Sequence, residues 1–208
     1  MNELVEIKNL NLSIKRLRKF SFRELFQKSM VKDVFTDFNL SLGSKNYLIL
    51  GDNGVGKTTL LRLLAGIIQP DSGEIVIKQK STFCISQNII FFSRVSIYEN
   101  LNFASHILCQ KSLSFELAKE ILHFADVDIN LNDISNGLST GMSSRIMIAL
   151  CLMNGEKTVF FDETFANVSE SYMLKVLTEA QKKGIQLIIV SHYSKKFENF
   201  EFEKININ

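Results

Sequence analysis

The run GDNGVGKT at residues 51–58 combines three glycines with a lysine and a hydroxyl side chain. It fits the spacing G-x-x-x-x-G-K-[ST] at every fixed position. Gly51, Gly54 and Gly56 let the backbone turn tightly and aim its N–H groups inward. A chain of phosphates is the ligand such a nest of donors suits. Lys57 can reach the β- and γ-phosphates, and the Thr58 hydroxyl can ligate Mg²⁺. Asp52, Asn53, Val55 and Thr59 complete the stretch that wraps the phosphates. NYLIL precedes the loop as a strand and TTLLRLLAG follows it as a helix, whose N-terminus adds about half a positive charge. A glycine loop that merely turns the chain needs neither the Lys-Thr pair nor both flanking elements.

Phosphate chemistry also requires an acidic partner. TVFFDE at 158–163 is an apolar strand ending in Asp162 and Glu163. Asp162, at the strand tip, is placed to hold Mg²⁺ through water, and Glu163 to polarise the attacking water. General base catalysis contributes about 10²–10⁴ in rate. Alone, a solvated acidic turn is an equal reading; downstream of the phosphate loop the catalytic one is stronger. Gln87 follows the apolar TFCI, where it could reach the Mg²⁺ or the water. His192 follows QLIIV, placing it to touch the γ-phosphate, because parallel strands collect ligands at their carboxyl ends. Taken singly, a loop glutamine and a surface histidine are the plainer readings, and their joint order at strand ends reverses that. His106 and His123 read as structural.

These residues need a scaffold, and the chain predicts one. YLIL, TVFF and QLIIV are short apolar runs that read as strands buried on both faces. Helical patterns separate them, so the fold class is α/β with a mainly parallel sheet. From about 88 to 150 the alternation stops and the pattern is mostly helical, as an insert between two strands of the sheet. With one proline, no Gly/Ser linker and no repeat, the 208 residues read as a single domain, 46% hydrophobic. A net charge of +2 argues against a nucleic-acid partner. No stretch reaches the ~18 apolar residues of a membrane span. The first residues lack a signal-peptide pattern. Cys84, Cys109 and Cys151 have no metal-ligand spacing and read as buried, reduced thiols. A soluble, cytosolic chain is the expectation.

One strip remains. LSTGMSSR at 138–145 holds no His, Cys or carboxylate, yet it opens the long apolar run IMIALCLM. A serine cap before a core helix accounts for Ser139 but not for Gly141 or Arg145. With these elements in order, the chain resembles the nucleotide-binding subunit of an ABC transporter over nearly its whole length. GDNGVGKTT is similar to Walker A and TVFFDE to Walker B, with Glu163 as catalytic glutamate, Gln87 as the Q-loop glutamine and His192 as the switch histidine. LSTGMSSR resembles the family signature. The resemblance implies a P-loop core with an antiparallel N-terminal β part and a helical insert subdomain. It also implies ATP and Mg²⁺ as cofactors, a head-to-tail homodimer and an integral membrane permease as partner. In that dimer Ser139 and the N–H groups around Gly141 face the γ-phosphate held by the twin's Walker A, where oriented donors stabilise transition-state charge. The location implied is peripheral, on the cytoplasmic face of the inner membrane.

Met142 and Arg145, with DETFANVSESYMLK lacking a proline after Glu163, are similar to cassettes of polysaccharide, O-antigen or teichoic-acid exporters. A long segment before Walker A points the same way. Seven Lys/Arg stand between residues 15 and 32, and Ser21 with Glu24 forms a capping box stapled by Phe20 and Leu25. A short basic amphipathic helix is expected there, against the membrane partner or lipid headgroups, each cation contributing about 1 kcal/mol at most. An ordinary solvated helix is the equal alternative. Three positions depart from the family: Ile14 replaces the aromatic that stacks on adenine, with Phe20 and Phe22 as possible substitutes; Ser169 replaces the D-loop aspartate; and Thr164 replaces a proline. Other readings are a small-molecule, drug or haem exporter, a non-transport switch, and a nucleotide-binding scaffold without turnover.

Overall fold

The computed structural model describes residues 4–16, 30–85, 91–154, 156–192 and 194–207. In chain order the elements are β1 (Val5–Arg16), β2 (Met30–Leu42), β3 (Tyr47–Leu50), α1 (Lys57–Leu64), β4 (Ser72–Ile77), β5 (Ser81–Ile85), α2 (Ile97–Cys109), α3 (Phe115–Phe124), α4 (Thr140–Met153), β6 (Thr158–Asp162), α5 (Glu170–Lys183), β7 (Gln186–Val190) and β8 (Glu203–Asn206). Short 3₁₀ turns occupy Ser135–Gly137, Thr164–Asn167 and Ser194–Phe197.

Two sheets result. β1, β2 and β4 form an antiparallel sheet in the order β2-β1-β4, and the other five strands form a parallel sheet in the order β5-β6-β7-β3-β8. The period-2 alternation of a strand explains the continuous apolar runs. Leu48, Val159, Phe161, Leu187 and Ile189 enter one core, shared with α2, α3, α4 and α5. Tyr47, Ile49, Phe160, Ile188 and Val190 enter a second core, shared with α1 and the antiparallel sheet. Each run is apolar beyond its first residue because each face has a core to fill, and the buried openers Thr158 and Gln186 hydrogen-bond to each other.

Serines set the starts of α2 to α5, while α1 starts at Gly56. Ser96 forms a capping box with Glu99 ahead of α2, while Ser114, Ser139 and Ser169 cap α3, α4 and α5. Gly184, left-handed at φ 62°, ends α5. From Ile146 to Leu152 every residue of α4 is buried, so its apolar run makes a core helix rather than an amphipathic one.

β8 was not anticipated, and it completes the parallel sheet beside β3. α2, α3 and α4 lie where the helical stretch was expected, α4 continuing to Met153. The ends of the basic 15–32 segment are strand, Lys15 pairing with Val31 and Arg16 with Met30. The expected helix around Ser21 and Glu24, with Phe20, Phe22 and Leu25, lies outside the described residues. Cys109 and Cys151 are buried, and burial pushes the Cys109 thiol up. Among the described residues no helix is long and apolar enough to cross a membrane.

Candidate nucleotide site

The carboxyl ends of β3, β6 and β7 deliver the candidate residues to one cleft of about 350 Å³. The loop after β3 needs its glycines. Gly51, Gly54 and Gly56 have φ of 150°, 81° and 112°, a region that L side chains rarely adopt. A Cβ on Gly51 would also collide with the Ile207 carbonyl next to β8. Lys57 is only 5% exposed, and its Nζ donates to the carbonyls of Gly51 and Asp52 at 2.8 Å each. The loop thus curls around the ammonium, leaving Asp52, Asn53 and Gly54 exposed. Thr58 and Thr59, in the first turn of α1, line the cleft; Val55 packs against the second core.

Opposite the loop stand the acids. The Thr58 hydroxyl donates to Asp162 Oδ1 at 3.0 Å, joining α1 to the tip of β6. Glu163 adopts φ 53°, and its N–H donates to the Val190 carbonyl at 3.0 Å, which ties the ends of β6 and β7 together. Glu163 Oε1 is buried, accepts no hydrogen bond and lies 3.4 Å from His192 Nε2. Burial raises both carboxyls above their ordinary range, opposed at Asp162 by the Thr58 hydroxyl and at Glu163 by His192. A raised carboxylate is a stronger base, which suits abstraction of a proton from water. For Mg²⁺ the donor set fits: one hydroxyl and one carboxylate converge, and this hard ion binds a few protein oxygens and fills its shell with water and phosphate. Among the described residues no cluster of three His, Cys, Asp or Glu could hold a metal unaided.

Of the expected residues, Gly54, Gly56, Lys57, Thr58, Thr59, Asp162, Glu163 and His192 line the cleft together. Gln87 lies outside the described residues. Ser139 and Gly141 are not part of the lining. Ser139 is exposed and accepts the Met142 N–H at 3.2 Å, so the cap reading holds for its side chain. Arg145 anchors α4 to its neighbours, donating to the Asp126 carbonyl at 3.2 Å and lying over the Tyr172 ring. Ser169 caps α5, and the Thr164 hydroxyl is buried and donates to the Asp162 carbonyl.

The cleft has residues the motifs did not reveal. Lys32, on β2, lines it and donates to the Gly54 carbonyl at 2.9 Å. In sequence it is one of seven basic residues scattered over positions 15–32, and only its register opposite Ile14 brings it to the loop. Ile14, Val34 and Arg62 also line the wall. Ile14 is 41% exposed, leaving an aliphatic surface where an aromatic was missing.

A strand-loop-helix phosphate nest facing paired acids on a neighbouring parallel strand defines a P-loop nucleoside triphosphatase. Residues 35–166 match the ABC transporter family model. The chain belongs to the ABC transporter family and is an ATP-hydrolysing cassette of the ATP-binding class that family defines. It is 29% identical over 182 residues to the lipopolysaccharide export system ATP-binding protein LptB of Haemophilus influenzae, covering 77% of this chain and 75% of that one. It is 30% identical over 161 residues to the spermidine/putrescine import ATP-binding protein PotA of Treponema pallidum, covering 70% of this chain. The chain spans 42% of that importer subunit's length. In fold it matches an ATP-binding cassette solved as a dimer in a post-hydrolysis state bound to ADP and phosphate, with a TM-score of 0.78 at 19% identity over 98% of this chain and 94% of that one.

Proposed function

We propose that this chain is the ATPase subunit of an ABC exporter and hydrolyses ATP as a head-to-tail homodimer. One observation carries the reading: the cleft gathers Lys57, Thr58, Asp162, Glu163 and His192 but no residue of 138–145, which opens a helix elsewhere with Ser139 exposed. A helix N-terminus with oriented N–H groups is an anion site awaiting an anion. In the dimer that anion is the γ-phosphate on the twin.

The reaction follows from the side chains. Lys57 exchanges the carbonyls of Gly51 and Asp52 for β- and γ-phosphate oxygens. The loop N–H groups from Gly54 to Thr59 bind the remaining oxygens. Thr58 and Asp162 hold Mg²⁺, which neutralises phosphate charge when bound. Glu163 accepts a proton from a water as its oxygen attacks the γ-phosphorus; the bond to the β-phosphate oxygen breaks, and ADP and phosphate form. His192, beside Glu163, donates to the γ-phosphate. Ser139 and the Gly141 N–H of the twin stabilise the transferring charge, and Gln87 orients the water. Phosphoryl transfer of this kind is mainly positioning and electrostatics.

The whole chain forms one domain, with the segment 88–150 as its helical subdomain. A separate integral membrane permease docks there, held to the cytoplasmic face of the inner membrane. Exposed Phe92, Phe103 and Ile107 offer it an apolar surface, the two rings 5.4 Å apart. The basic 15–32 segment adds contact with the membrane surface. The cargo is a polysaccharide or lipid-linked glycan, a reading supported by Met142, Arg145 and the likeness to LptB. Likeness to PotA favours a second reading, an importer's cassette.

The mechanism is tested by measuring ATP hydrolysis against protein concentration, for the wild type and for Glu163→Gln. The rate per subunit is expected to rise with concentration, and the variant to trap an ATP-bound dimer. Activity indifferent to both changes refutes the mechanism. Purifying the membrane subunit that accompanies the chain, and assaying transport in vesicles of known orientation, separates export from import.

A further inference from the structure

The loop that follows Glu163 is gripped from two sides. Lys196, in the 3₁₀ turn Ser194–Phe197 just after His192, donates its ammonium to the Phe165 carbonyl at 2.8 Å and to the Val168 carbonyl at 2.5 Å. Phe165 lies within the turn Thr164–Asn167 and Val168 follows it directly. Rings reinforce the clamp: Phe161, Phe165 and Phe197 are buried and stack edge to face, at 5.0 Å and 6.0 Å. On its other side the turn packs against the start of α4, so closely that a Cβ on Gly141 would stand 3.2 Å from the Asn167 carbonyl. Deeper in the same helix the Ser144 hydroxyl is fully buried with no hydrogen-bond partner. Burial lowers the pKa of Lys196, opposed by Glu170.

We propose that Lys196 is a positioning residue that couples the chain's own ATP site to the strip 139–141 that it offers its twin. The path is short and continuous. His192 and Glu163 face one another across 3.4 Å in the cleft proposed to hold the terminal phosphate. Lys196 binds the segment carrying His192 to the turn that leaves Glu163, so the two move as one body. The turn abuts Gly141, so its displacement shifts Ser139 and the first N–H groups of α4. Ser169, at the end of the turn, bears no charge to carry this link, and its hydroxyl is engaged with the Tyr172 N–H and Ser171. The clamp instead comes from the 3₁₀ turn that follows β7, as a cation holding two backbone carbonyls. The proposal rests on the dimeric ATPase reading for its consequence, but the coupling within one chain stands apart from it.

Hydrogen exchange separates the two. In the Glu163→Gln background, at a protein concentration below dimer formation, ATP is expected to change amide exchange at 51–59, at 164–168 and at 139–145. Adding Lys196→Met should leave the change at 51–59 and abolish it at 139–145, while Lys196→Arg restores it. An identical change at 139–145 with and without the ammonium, or none in the parent, overturns the proposal. In steady-state assays of the otherwise wild-type chain, Lys196→Met should lower kcat about tenfold while KM for ATP stays within about twofold. A KM that rises in step with the loss of kcat makes Lys196 a merely structural prop. If the parent chain hydrolyses ATP at a rate independent of concentration, the dimer reading fails, and the exchange experiment still decides the clamp.

Discussion

Glu163 and Asp162 combine a chemical task with a cost to the fold. Burial holds both carboxyls above their ordinary range, so between the ordinary and the raised values the folded chain keeps protons that the unfolded chain has released. Stability falls as pH rises through that window. A neutral amide removes the cost. Glu163→Gln should therefore melt above the wild type at pH 7, by about 2–4 °C per kcal/mol recovered, and match it below the ordinary carboxylate range. Its turnover should fall by about 10²–10⁴. Calorimetry across pH, paired with a phosphate-release assay, checks both; a variant that melts lower at pH 7 contradicts the burial argument. Lys32 lends itself to a simpler measurement. Its bond to the Gly54 carbonyl braces the loop tip, so Lys32→Ala should weaken ATP binding about five- to tenfold in a titration, the loss of one charge-assisted hydrogen bond. Both lysines of the cleft show how unevenly sequence speaks. Lys57 announces itself by a motif, whereas Lys32 acquires its partner only through strand register.

Two roles meet in the start of α4, and substitutions can part them. Ser139→Ala removes the acceptor for the Met142 N–H and should cost about 1 kcal/mol, seen as a lower urea midpoint. Ser139→Asp keeps a capping oxygen and suits the helix dipole, so stability should hold. If the proposed head-to-tail dimer is the active form, hydrolysis should nevertheless collapse, because a carboxylate then faces the twin's γ-phosphate. Retained activity in the aspartate variant removes the strip from the reaction. The loop after β3 behaves differently: Gly51→Ala should prevent ATP binding outright, since its Cβ meets the Ile207 carbonyl and φ 150° is strained for alanine. That second obstacle was invisible in sequence, because β8 and its neighbour Ile207 lie far along the chain from the motif.

At the scale of the molecule, β6 is the partition between two cores and the arm that carries Asp162. Phe160 faces the core of α1 and the antiparallel sheet, and Phe161 the core of the helices. Phe160→Ala should cost about 3–5 kcal/mol by leaving a cavity in the second core. Nucleotide protection against urea should be lost together with stability, because the same strand positions both. A variant with an unchanged urea midpoint would contradict the cavity argument. Such two-sided burial explains why the strand runs YLIL, TVFF and QLIIV were legible: polar residues are confined to their first positions, Thr158 and Gln186, and the rest is apolar. β4 and β8 were less so, since their exposed and half-buried residues dilute the apolar signal.

Sequence by itself determined the phosphate loop, the acid pair, the serine cap at Ser139 and the alternation of strand and helix. Each is a local property, settled by φ preferences, side-chain chemistry or hydrophobic period within a dozen residues. Tertiary structure alone decided that Lys32 reaches Gly54, that Val190 fixes Glu163 and that Lys196 grips the turn beyond it. Those facts depend on strand order and register, which bring together residues separated by tens of positions, and no local pattern encodes such a distance.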